Sequence, residues 1–153
     1  MLRVTSSPAA HDQLGVSLLE VLIAVLVLAI GVLGAAQLQL SALRYNASAA
    51  HTTQASFIAY DMLDRMRANA DDLAAYAGFS VVGCSAAQPG ADILAQDRHD
   101  FATAVGCQLP GGRGSIAVDG NRATVTVSWS ESRIQAGQSD TAFVVSSQVR
   151  AEP

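Results

Sequence analysis

Lysine is absent from this chain, and all nine basic residues are Arg. Charge of either sign is scarce, at 14% of residues, and the formal net charge is −4. A broad electrostatic grip on nucleic acid needs a basic surface, so that class of partner is not expected. Aromatic residues are few as well, at 5%, although half of the chain is hydrophobic. The apolar excess is therefore aliphatic and alanine, and it is too large for a disordered chain. It is also unevenly spread, which argues against a soluble bundle sharing it among three or four helices. Cysteine is limited to Cys84 and Cys107. A thiolate metal site normally draws on four ligands at short spacings, and no His pair completes this one. A disulfide or two unpaired thiols remain. A location outside the cytoplasm favours the disulfide, whose loop of about 24 residues would stabilise the fold by roughly 3 kcal/mol in the chain-entropy model. At 153 residues the chain holds one ordinary domain or less.

What is present is concentrated near the start. Residues 1–15 are polar and include Pro8 and Gly15. Val21 to Ala36 then runs for sixteen residues without a polar side chain, and no charge occurs between Glu20 and Arg44, a span of 23 residues. As a helix that span is about 35 Å long, enough to cross a hydrocarbon core of about 30 Å. Gly31 and Gly34 fall inside it, and glycine is common in membrane helices. From Gln37 to Asn69 there is neither Pro nor Gly. Leu43, Ala47, Ala50, Phe57, Ile58, Met62 and Met66 recur at spacings of three and four and predict an apolar stripe. Asp61 with Arg65, and Asp64 with Arg67, are spaced to pair on the helix surface. The prediction is one helix of about 50 residues, apolar all round in its first half and amphipathic in its second.

After Asn69 the pattern changes. Residues 70–114 are broken by glycines and by Pro89-Gly90 and Pro110-Gly111-Gly112. A short helix is expected around Asp97 to Val105. Ile116-Ala117-Val118 leads into Asp119-Gly120-Asn121, a hairpin-turn signal. Arg122 to Trp129 alternates, with Ala123, Val125, Val127 and Trp129 on one face. A third strand is expected at Ala142 to Val149. Together these predict an α+β fold, a small antiparallel sheet whose apolar face is covered by the amphipathic half of the long helix.

The apolar segment has three readings. It is a stable single-pass anchor, or a secretory signal cut after Gly34-Ala35-Ala36, or a signal cut ahead of the apolar run, between Gly15 and Val16. Glu20 discriminates. A carboxylate at the edge of an apolar helix is costly, although a helix N-terminus favours it. Cleavage after Gly15 would create an α-amine at Val16, four residues before Glu20. Amine and carboxylate could then neutralise each other, within one chain or between neighbours.

Gly15-Val16-Ser17-Leu18-Leu19-Glu20-Val21-Leu22-Ile23-Ala24 closely resembles the type IV prepilin processing motif. Val16 stands where that family usually has Phe. Leu28 to Gln39, and Ala59-Tyr60-Asp61-Met62-Leu63-Asp64-Arg65-Met66-Arg67-Ala68-Asn69, are similar to PilV-type minor pilins, also called type IV pilus modification proteins. The two likenesses cover about the first 70 residues. The resemblance implies a type IV pilin-like fold and cleavage between Gly15 and Val16 by prepilin peptidase. It also implies N-methylation of Val16, subunit docking through Glu20, and a disulfide-bearing head that fits Cys84 and Cys107. The implied organisation is a leader at 1–15, a transmembrane and assembly half-helix at 16–40, an amphipathic half-helix at 41–69, and a periplasmic head at 70–153. The implied location is the bacterial inner membrane, single-pass, and the pilus fibre after assembly. Implied partners are prepilin peptidase, the major pilin, other minor pilins, the inner-membrane assembly platform and membrane lipid. Pseudopilins of type II secretion share the leader motif and form the runner-up. A pilus-tip subunit that takes up DNA or adheres to surfaces is the binding-module alternative. The head from Ala70 onward carries five Arg against seven Asp and two Glu, which disfavours DNA.

No catalytic set converges, and neither an enzyme, a small-molecule substrate, a cofactor nor a metal is expected. Asp97-Arg98-His99-Asp100 reads as a solvated helix start or loop. Asp92, Asp97 and Asp100 lack the alternate spacing of a Ca²⁺ loop. His11 lies in the leader, and His51 has no acidic residue three or four positions away. Ser80 is not in a nucleophile elbow, and Gly111-Gly112-Arg113-Gly114 lacks the Lys of a phosphate loop. Trp129 is in register with the core face. Arg65 and Arg67 read equally as partner contacts or as a solvated helical face.

Overall fold

The structure is a computed structural model and describes residues 15–84, 89–132, 134, 137 and 139–149. The leader expected at 1–15 therefore lies outside the described residues, apart from Gly15. The chain divides into two compact units, Met1–Ser41 and Ala42–Pro153. One helix, α1 (Leu18–Ala68), contributes to both.

In the first unit α1 is apolar on every side, and none of its most apolar window is buried. Leu18 is 84% exposed and Leu28 67%. It is long and apolar enough to cross a membrane. Among the described residues nothing covers these side chains. Gly34-Ala35-Ala36 lies within the helix.

In the second unit α1 buries Ala55, Ile58, Ala59, Met62, Leu63 and Met66. They form one core with Ile116, Ala123, Val125, Val127, Trp129 and Val149. The stripe differs from the predicted one. Ile58, Met62 and Met66 are buried as expected, but Leu43, Ala50 and Phe57 are exposed. Phe57 stands about 200° round the helix from Ala55, and Ala50 and Leu43 follow it at seven-residue steps on the same outward side. Spacings of three and four admitted both sides; only the sheet selects one.

A 3-10 segment, Ala70–Tyr76, follows α1. Strand β1 (Ser80–Val82), helix α2 (Ile93–Gln108) and strands β2 (Arg113–Asp119), β3 (Arg122–Trp129) and β4 (Thr141–Gln148) complete the described elements. The sheet order is β1-β2-β3-β4, and each neighbouring pair is antiparallel. Strands β2 and β3 join through Gly120-Asn121, with Asp119 opposite Arg122. Gly120 has φ +56°, as the first position of a tight hairpin turn requires. On β3 the predicted alternation holds, since Ala123, Val125, Val127 and Trp129 are all buried.

Helix α2 begins earlier than the expected Asp97 because Asp92 caps it, accepting the Ala95 N–H at 2.6 Å. Gly106 lets α2 approach the end of β1 closely. A Cβ there would stand 2.1 Å from the Gly83 carbonyl oxygen. Beside that contact Cys84 and Cys107 form a disulfide with Cα atoms 4.5 Å apart. The fold is thus α+β and pilin-like: a long N-terminal helix with a small C-terminal antiparallel sheet.

Candidate functional site

The residues singled out at the start of the apolar segment sit where coil becomes helix. Gly15, Val16 and Ser17 precede α1, and Val16 is 70% exposed. The Ser17 carbonyl accepts the N–H groups of Glu20 at 3.0 Å and Val21 at 3.3 Å. The Ser17 hydroxyl oxygen also accepts the Glu20 N–H, at 3.2 Å. Ser17 is thus the N-cap, its hydroxyl and carbonyl oxygens sharing the Glu20 amide at the start of the helix. Glu20 is the acidic residue of the first turn, where the helix dipole favours negative charge. Ser17 was not singled out from the sequence, although Ser-x-x-Glu before an apolar run is the signature of a capping box.

The head holds a second polar centre, and it corrects the solvated reading of Asp97 to Asp100. Asp97 lies inside α2 and is 6% exposed. Its Oδ1 accepts from Arg65 Nη1 at 3.0 Å, and its Oδ2 accepts from the Tyr76 hydroxyl at 2.6 Å. Arg65 also donates to Asp100 at 2.9 Å and to Asp61 at 2.8 Å. Burial works against the Arg65 charge, but the hydrogen bonds it donates to Asp97 and Asp61 outweigh it and hold the guanidinium more firmly protonated. Burial, then the Asp97 hydrogen bond, pushes the Tyr76 hydroxyl up to about 12. Arg65 therefore acts within its own head, tying the end of α1 to α2. Arg67 pairs with Asp64 at 2.5 Å, as its spacing predicted, and donates to Ser147 on β4 at 2.6 Å.

A further contact pins α1 to the rest of the head, and Trp129 supports it. Ser48 donates to Glu131 Oε1 at 2.7 Å, and the Trp129 indole N–H donates to the same oxygen at 3.2 Å. Trp129 is 1% exposed, a core residue. His51 and His99 each bury an Nδ1 without a hydrogen-bond partner among the described residues. Among those residues no group of three or more His, Cys, Asp and Glu side chains is placed to hold a metal.

Residues 11–36 match the prokaryotic N-terminal methylation motif. This is a type IV pilin-like prepilin signal, and it implies processing by prepilin peptidase and pilus-related assembly. The matched stretch includes Gly15, Val16 and the capping Ser17 ahead of the helix, Glu20, and much of the apolar run. No curated protein and no solved structure matches the chain significantly.

Proposed function

We propose that this protein is a minor pilin of the PilV type, with a structural and assembly role rather than an enzymatic one. Prepilin peptidase cuts it between Gly15 and Val16, and the new Val16 amine is methylated. The apolar half of α1 anchors it in the bacterial inner membrane with the head in the periplasm. It then passes through the assembly platform into a type IV pilus, or into the complex that initiates one. There Glu20 docks against the N-terminal amine of its own or a neighbouring subunit, alongside the major pilin and other minor pilins. The observation that carries this reading is the methylation motif at 11–36, laid over a Gly15–Val16 bond that precedes the helix and an apolar helix that no other described residue covers. The Arg65–Asn69 stretch supports the PilV-type assignment.

The motif equally suits a type II secretion pseudopilin, and gene deletion separates the two. Loss of pili and of twitching with protein export intact supports the minor pilin. Export blocked with pili intact supports the pseudopilin. Normal pili and normal export count against both.

A further inference from the structure

We infer that Ser17 is a positioning residue for processing: its hydroxyl sets where α1 starts and so keeps the Gly15–Val16 peptide bond outside the helix. This rests on the reading of residues 11–36 as a prepilin signal. In a helix extended by one turn, the Glu20 N–H would bond the Val16 carbonyl, and the Leu19 N–H would bond the Gly15 carbonyl. The Glu20 N–H goes instead to Ser17, shared between its carbonyl at 3.0 Å and its hydroxyl oxygen at 3.2 Å, and the first carbonyl used by the helix is that of Ser17. Among the described residues no backbone N–H donates to the Gly15 or Val16 carbonyl.

That arrangement matters for hydrolysis. Water adds across the Gly15–Val16 bond. Its oxygen goes to the Gly15 carbonyl carbon, which becomes a carboxylate, and Val16 leaves as an α-amine. The attacking water must reach a carbonyl carbon that a helical turn would enclose. Pressure towards such a turn is built in, because an apolar surrounding makes every unbonded backbone group costly. Gly15 alone resists it weakly through its low helix propensity. The hydroxyl of Ser17, together with the Ser17 carbonyl, competes with the Val16 carbonyl for one amide, and this competition places the start of the helix two residues after the bond to be cut.

The test uses the full-length chain in detergent micelles with purified prepilin peptidase, followed by intact mass. Ser17→Ala is expected to slow cleavage at Gly15–Val16 by about fivefold, the scale of one lost cap. Ser17→Asn and Ser17→Thr, which also cap helices, are expected to restore the rate. The Glu20 amide resonance should shift in the Ala variant and return in the other two. Cleavage of Ser17→Ala at the wild-type rate overturns the inference while leaving the prepilin reading intact. So does a Ser17→Asn variant as slow as Ser17→Ala, since the peptidase would then be reading the serine itself. A wild-type chain that is never cut removes the prepilin reading and the inference with it.

Discussion

The Tyr76 hydroxyl donates to Asp97 Oδ2 at 2.6 Å while Arg65 bonds the other oxygen of the same carboxylate. One buried Asp thereby joins three segments: the last turns of α1, the 3-10 segment and α2. Truncating it leaves a tyrosine hydroxyl without its acceptor and Arg65 short of one partner. Asp97→Ala should destabilise the head by about 3 kcal/mol, within the range for breaking a buried pair. Asp100→Ala, at a more exposed site with Arg65 still held by Asp97 and Asp61, should cost about 1 kcal/mol or less. Denaturant unfolding of both variants, read by Trp129 fluorescence, checks the order.

Alkaline stability should report the same contact. The Tyr76 hydroxyl is pushed up to about 12 in the fold, from an ordinary value of 10. Between those values the unfolded chain loses the proton and the folded chain keeps it. Stability is therefore intact below pH 10 and falls as pH rises towards 12, by roughly 2–3 kcal/mol in all. Tyr76→Phe should flatten that part of the pH profile.

Reducing the Cys84–Cys107 disulfide should cost about 3 kcal/mol, by releasing a loop constraint on the unfolded chain. Gly106→Ala tests the neighbouring contact. The new Cβ would meet a backbone oxygen of Gly83 at 2.1 Å, which cannot swing away as a side chain could. A loss of about 2 kcal/mol or more is expected with the disulfide still formed, measured by thermal unfolding alongside a thiol count.

Glu20→Ala should separate processing from assembly. Ser17 Oγ and O accept the backbone N–H of Glu20, so the cap does not need the carboxylate. The variant should be cut normally yet be several-fold depleted from sheared pili, by immunoblot of membrane and fibre fractions. Normal incorporation would remove the docking role of Glu20.

Much of this was legible in the sequence because it depends on local periodicity. The charge-free run and the Pro- and Gly-free stretch predict α1 as one helix, and the alternation in Arg122–Trp129 predicts β3 with its buried face. Strand β1 was not legible, because three residues carry no period. The helical spacings that include Leu43 and Phe57 could not say which side of α1 meets the sheet. Asp97 read as solvated because its partners lie far away in sequence: Arg65 is 32 residues off and Tyr76 is 21. At the proposed processing site Gly15 and Val16 stood out through the prepilin motif they resemble, and Glu20 also as a carboxylate at the edge of an apolar run. Ser17 carried an unread signal, its three-residue spacing from Glu20.

The most direct test of the account is the N-terminus of the mature protein, read by mass spectrometry of membrane fractions with and without prepilin peptidase. The account predicts a methylated Val16 that disappears when the peptidase is absent. An intact Met1 in both fractions, or a start at Gln37, would contradict it.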